Sequence, residues 1–109
     1  MSNRKTEKIA FKMHLNPGQA VEYKRRHDEI PDALTELLKN AGISDYSIFL
    51  DEETNILFGV LWRSDNHTMG ELPASAVMQA WWEHMADIMK TGDGNVPLSA
   101  DLKLVFHME

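Results

Sequence analysis

Tyr46-Ser47-Ile48-Phe49-Leu50-Asp51-Glu52-Glu53-Thr54-Asn55-Ile56-Leu57-Phe58-Gly59-Val60-Leu61-Trp62 is the stretch on which the fold turns. Two runs rich in aliphatic and aromatic residues, Tyr46 to Asp51 and Asn55 to Trp62, flank the polar turn Asp51-Glu52-Glu53-Thr54. That is the pattern of a β-hairpin. Upstream, Ile9, Phe11, Met13 and Leu15 alternate with other residues, the period of a half-buried strand. Asn16 followed by Pro17 reads as a helix start, because Asn caps free N–H groups and Pro has no N–H to satisfy at the first helical position. Gly42 supplies the matching stop. Downstream, Ser75 is placed to cap a second helix with Val77, Met78, Trp81, Trp82, Met85, Ile88 and Met89 at helical spacing. Thr91 to Ser99 reads as loop, and Leu102, Leu104, Phe106 and Met108 alternate as a fourth strand.

The order β-α-β-β-α-β is that of a ferredoxin-like α+β fold, an antiparallel sheet with helices on one face. Two helices cover only that face. Phe49, Leu57, Leu61 and Val105 stand opposite the main apolar set in their strands, so the second face is expected to be far from uniformly polar, with a sizeable apolar patch. A monomer would expose that surface, and the economical way to cover it is a face-to-face homodimer.

At 109 residues the chain suffices for one domain with its own core, residues 1–109, preceded by a short solvated lead over residues 1–7. The 11 Lys and Arg against 17 Asp and Glu give a net charge of -6, which argues against a phosphate backbone as partner. There is no cysteine, which excludes disulfides, thiolate metal sites and a Cys nucleophile and fits a reducing home. No apolar run approaches the roughly 20 residues of a membrane span, and the N-terminus lacks the apolar core of a signal peptide, so a cytoplasmic protein is expected.

Chemistry concentrates at Tyr23-Lys24-Arg25-Arg26-His27. Tyr23 and His27 lie about one helical turn apart, so phenol and imidazole point the same way. With Tyr46 opening a strand and Trp81-Trp82 on the second helix, they give a proton-transfer group among aromatic walls, the equipment of a neutral sugar site. On spacing alone, however, a His on a charged helix reads as a solvated or structurally bonded side chain. The same reading applies to His14, His67, His84 and His107. Neighbouring Trp residues on a helix differ by about 100° in direction, so one is expected in the core and the other in a pocket wall. Lys24, Arg25 and Arg26 with Asp28 and Glu29 read as a solvated face with local charge pairing. The His residues are scattered with no His-Glu-x-x-His pattern, and Gly92-Asp93-Gly94-Asn95 lacks the spacing of a calcium loop and the Lys of a P-loop, so no metal site is expected.

Five segments together, Tyr23 to His27, Asp45-Tyr46-Ser47-Ile48-Phe49-Leu50-Asp51, Leu57-Phe58-Gly59-Val60-Leu61-Trp62, Val77-Met78-Gln79-Ala80-Trp81-Trp82 and Val105-Phe106-His107-Met108, resemble the L-rhamnose mutarotases. The resemblance runs in register from about Ile9 to Met108. It implies a dimeric α/β barrel that interconverts the α and β anomers of a 6-deoxy-hexose pyranose without a cofactor. Carried over by position, it implies Tyr23, Tyr46, Trp81 and Trp82 as substrate-binding residues and His27 as the catalytic proton-transfer group. Two other classes stay open at this point. A small cofactor-independent monooxygenase of similar dimeric fold would consume oxygen, and a non-catalytic sugar-binding module would tolerate the loss of His27.

One segment departs from the resemblance. Where the mutarotases read Ile-Trp-Pro-Glu-Leu after the His motif, this chain reads Ile30-Pro31-Asp32-Ala33-Leu34. Pro31 cannot donate to the carbonyl of His27 and pushes Ile30 out of helical geometry, so the first helix is expected to break there. The missing indole implies a roomier pocket with broader sugar recognition.

Overall fold

The computed structural model describes residues 5–109. Four strands form one antiparallel sheet in the order β2-β3-β1-β4: β1 is Lys5–His14, β2 Ile43–Asp51, β3 Ile56–Ser64 and β4 Ser99–Asp101. Three α-helices, α1 (Ala20–Asp28), α2 (Asp32–Asn40) and α3 (Ala76–Met85), accompany them, with a 3₁₀ turn at Met69–Ala74 before α3. The ferredoxin-like order expected from the hairpin is therefore the order found. Among the described residues no helix is long and apolar enough to cross a membrane.

The hairpin sets the register. Phe49 faces Phe58, Leu50 faces Leu57, and Met13 on β1 faces Leu57 from the other side. Asp51 shapes the turn by accepting from the Glu53 N–H and the Thr54 hydroxyl at 3.1 and 2.9 Å, and Asn55 takes a positive φ of 60° there. Leu15, Leu57 and Met85 pack together with Met13, Ile88 and Met89 under the helices. Leu57 and Leu61 thus belong to the helix-covered face, each 1% exposed, and not to the opposite face where alternation assigned them. The strand is apolar on both sides, so its pattern does not say which side is which. The outer face instead carries Phe49, Phe58, Val60 and Trp62, an apolar set interleaved with Lys8 and Lys12 of β1, so it is far from uniformly polar.

The first helical region starts later than the Asn-Pro pair suggests. Gly18 takes a φ of 81°, which L residues avoid, and the helix begins only at Ala20. Asn16 ties β1 to the segment after α3 instead, its N–H donating to the Ile88 carbonyl at 2.9 Å. Helix α1 stops at Asp28 and α2 starts after Pro31, whose φ of -62° and ψ of 139° are extended; the expected break is there. Gly42, at φ 92°, follows the end of α2 as the left-handed stop. Ser75 occupies the N-cap position of α3 but makes no side-chain cap bond, and α3 ends at Met85, so Ile88 and Met89 are buried from the following turn.

Both chain ends differ from expectation. Strand β1 begins at Lys5, and Thr6 donates to the Arg63 carbonyl at 3.2 Å while Glu7 pairs with Arg63 at 2.8 Å. Of the lead over residues 1–7, residues 1–4 lie outside the described residues. The fourth strand falls at Ser99–Asp101 and not along Leu102 to Met108; beyond Leu102, whose N–H donates to the Ala10 carbonyl of β1 at 2.9 Å, these residues pair with no strand among the described residues. Alternation marks strand competence; a neighbour must still be present for a strand to form.

Gly59 faces Phe11 across β1 and β3, and a Cβ there would lie 2.5 Å from the Phe11 Cζ. The bare glycine lets the phenyl ring lie flat on the sheet. Gly59→Ala is expected to displace that ring and cost about 1–3 kcal/mol of stability. A lowered urea midpoint at unchanged slope is the result that checks it.

Candidate active site

Helix α1 places Tyr23 and His27 one turn apart, and their rings stack with centroids 4.3 Å apart and planes 33° from parallel. Trp81 of α3 meets the imidazole edge-on at 5.2 Å and 88°. The His27 Nδ1 lies 3.0 Å from the Tyr23 carbonyl oxygen. A carbonyl only accepts, so Nδ1 carries the proton and donates it, which leaves the Nε2 lone pair free as a base. Burial holds the His27 pKa below the usual imidazole value, against the opposing Tyr23 carbonyl bond and the Asp28 charge. The imidazole is thus neutral near pH 7 and ready to accept a proton.

Tyr46 reaches the same side by a β-bulge. Ser44 faces Trp62 and Ser47 faces Val60, so Asp45 and Tyr46 together stand opposite Leu61, with Asp45 at φ 51°. Such a bulge re-aims a side chain. It turns Tyr46 toward Phe11, 6.2 Å away between ring centroids. Tyr46 keeps 38% of its surface open, yet burial pushes its phenol up to about 12. The ring is open to solvent on one side and packed against protein, Phe11 included, on the other. Burial also raises the Tyr23 phenol, and the nearby Tyr46 raises it further. Both phenols are therefore neutral hydrogen-bond donors at any ordinary pH.

Arg26 is not the solvated charge its neighbours suggested. Its side chain is 11% exposed and donates from Nη1 to the His84 carbonyl at 2.6 Å and to Asp87 Oδ1 at 2.8 Å, while Nε holds Glu22 at 2.7 Å. Helix α1 is thereby tied to the last turn of α3 and the segment beyond it, one residue from His27 and three from Trp81. Lys24 and Arg25 do behave as expected, pairing with Asp28, Glu22 and Glu29 on the solvent side. Spacing could not separate Arg26 from Arg25, because the distinction depends on Asp87, 61 residues away.

The two tryptophans part company. Trp81 packs on the core cluster and beside His27 and His84, 5.7 Å from the latter. Trp82 lines an open groove of about 630 Å³ with Gln79, Glu83 and Asn95, which Tyr23, His27 and Tyr46 do not line. Among the described residues no group of three or more His, Cys, Asp or Glu side chains gathers to hold a metal ion.

A half-buried neutral base between two aromatic rings, with two protonated phenols at hand, is suited to moving a proton between oxygens of an uncharged substrate. The comparisons with known proteins agree in class. Residues 8–108 match the family model described as L-rhamnose mutarotase. The L-rhamnose mutarotase of Mesorhizobium japonicum is 65% identical over 102 residues, covering 94% of this chain and 97% of that protein. That of Sinorhizobium fredii is 63% identical, covering 94% and 98%. The crystal structure of an L-rhamnose mutarotase from Formosa agariphila superposes with a TM-score of 0.89 at 47% identity, covering 95% of this chain and all of that one. With its fold, its paired Tyr and His and its near full-length matches in agreement, the chain belongs to the L-rhamnose mutarotase family.

Proposed function

We propose that this isomerase interconverts the α and β anomers of L-rhamnose, with His27 as the proton-transfer group and Tyr23, Tyr46, Trp81 and Trp82 as sugar-binding residues. The observation that carries the reading is the His27 ring itself: Nδ1 is fixed on the Tyr23 carbonyl at 3.0 Å, and Nε2 is left as a free base. In this mechanism Nε2 takes the proton of the anomeric hydroxyl as the bond from C1 to the ring oxygen breaks and the carbonyl forms. The imidazolium then returns that proton to the former ring oxygen. C1 turns about its bond to C2, the steps reverse, and the ring closes on the other face. Both oxygens sit on one carbon, so one imidazole reaches both, and the proton balance closes without a cofactor. Neutral Tyr23 and Tyr46 orient the hydroxyls as donors, and the indole of Trp81 covers the C–H face and methyl group of the sugar.

The apolar outer face, with Phe49 65% exposed, supports a homodimer in which two sheets cover each other. The absence of cysteine supports work in a reducing compartment, the cytoplasm, where anomer exchange would serve carbohydrate metabolism. Saturation-transfer NMR of anomeric protons tests the activity across hexoses and 6-deoxy-hexoses. Enzyme-dependent exchange of L-rhamnose anomers is expected; exchange no faster than in buffer would refute the reading.

A further inference from the structure

We infer that Phe11 is a positioning residue for the proposed reaction: its ring, seated on Gly59, holds the Tyr46 phenol in the direction from which it donates to the sugar. This deepens the reading of the preceding section and rests on it. Phe11 touches no reacting atom in that reading and acts only through Tyr46.

Of the rings at the site, Tyr46 has the least to hold it. Tyr23, His27 and Trp81 stand on helices, and His27 is pinned further by its Nδ1 on the Tyr23 carbonyl at 3.0 Å. Tyr46 stands on β2, an edge strand paired only with β3, and at the bulge where regular pairing lapses between Ser44 and Ser47. Among the described residues no group hydrogen-bonds its hydroxyl. That keeps the donor free for a substrate, but it leaves the direction of the ring to packing alone. Direction matters here, because a hydrogen bond weakens steeply once the donor points off line.

Phe11 is the ring against it, with centroids 6.2 Å apart and planes at 55°. It is much the better anchored of the two. Its strand β1 lies inside the sheet, so Phe11 has Gly59 of β3 facing it on one side and Asp101 of β4 on the other. Its side chain packs on the buried cluster of Met13, Leu57 and Met85, against which Tyr23 and Trp81 also pack. The tip of the ring lies over Gly59, where a Cβ would come within 2.5 Å of Cζ and 2.8 Å of Cε2. A strand glycine marks such a close approach, and here it sets the depth at which the ring rests. A central strand thus passes its fixed position to a loosely held edge strand through one aromatic contact.

A double-mutant cycle separates aiming from mere support. Tyr46→Phe removes the hydroxyl and is expected to lower kcat/KM for L-rhamnose anomer exchange about tenfold, the worth of one good hydrogen bond. Phe11→Leu keeps that hydroxyl but lets it drift, and is expected to cost about fivefold, no more than the hydroxyl itself supplies. In the Tyr46→Phe background the same Phe11→Leu change is expected to cost less than about 1.5-fold, since no hydroxyl is left to aim. Phe11→Met fills the same place without a flat ring and takes over if the leucine variant fails to fold. The chain has two tyrosines, so NMR of ring-labelled tyrosine reads Tyr46 directly, with Tyr46→Phe assigning its signals. In Phe11→Leu those signals are expected to lose the shift that the Phe11 ring imparts. Losses that multiply in the double variant, or Tyr46 signals that do not move, overturn the inference and leave Phe11 as ordinary packing. A wild type that exchanges no anomers overturns the proposed function itself, and the role of Phe11 falls with it.

Discussion

His27→Ala is expected to slow L-rhamnose anomer exchange by about 10²–10⁴-fold while leaving the fold in place, the range a positioned general acid–base group supplies. The site explains why the loss should fall in chemistry and not in folding. His27 is only partly buried, Ala is the best helix former, and the Tyr23 carbonyl that loses its ring partner still takes part in the helix. The pH profile of the wild type should carry the signature of the same group. Burial lowers the His27 pKa, so neutral Nε2 is the working form, and the rate should hold steady above about 6.5 and fall on acidification with a midpoint below 6.5. Stability shifts in the same direction: the unfolded chain takes up a proton at this imidazole first, so the contribution of its burial is complete above about 6.5 and declines as pH falls through the folded value. NMR exchange rates and urea midpoints between pH 5 and 8 read both effects. A variant exchanging anomers within twofold of wild type would remove His27 from the mechanism.

The fold was legible in the sequence wherever local pattern and tertiary need coincide. The hairpin from Tyr46 to Trp62 announces itself by two apolar runs around a polar turn, and Pro31 announces the break between the first two helices by its missing N–H. Legibility fails where a residue's role is set by a distant neighbour. Leu57 and Leu61 were assigned to the wrong face because β3 is apolar on both sides and only its pairing with Met13 and Ile9 decides the matter. Leu102 to Met108 have a strand's alternation, yet beyond the Leu102 N–H on the Ala10 carbonyl they find no strand partner among the described residues. At the site, the helical spacing of Tyr23 and His27 was sufficient to bring their rings together, while the bulge that turns Tyr46 toward Phe11 leaves no local signal beyond an ordinary Ser-Asp-Tyr-Ser run. Phe11 itself is identified only by the glycine opposite it.

Arg26→Met is expected to lower the exchange rate by roughly 10- to 100-fold, because misplacing a reacting group by about 1 Å costs that order of rate. Among the described residues no backbone hydrogen bond joins α1 to α3, yet the proposed base rides on one and its indole wall on the other. What fixes their separation is the Arg26 fork, with Nη1 on the His84 carbonyl at 2.6 Å and Asp87 at 2.8 Å and Nη2 also on Asp87 at 3.2 Å. Arg26→Lys should recover only part of the rate, since an ammonium reaches one of these acceptors but does not span them as a planar fork does. Glu22→Gln is the discriminating control. Glu22 binds Arg26 as tightly in distance, at 2.7 Å, but lies on the same helix, so removing its charge leaves the tie between helices intact and the rate within about twofold. If Arg26 acts by position, the fall should appear in the maximal rate at saturating sugar, and the acid midpoint should move as the His27 surroundings loosen, while circular dichroism stays that of the wild type. Equal losses for Glu22→Gln and Arg26→Met would instead mean that the local charge pairing on α1 matters and the link to α3 does not.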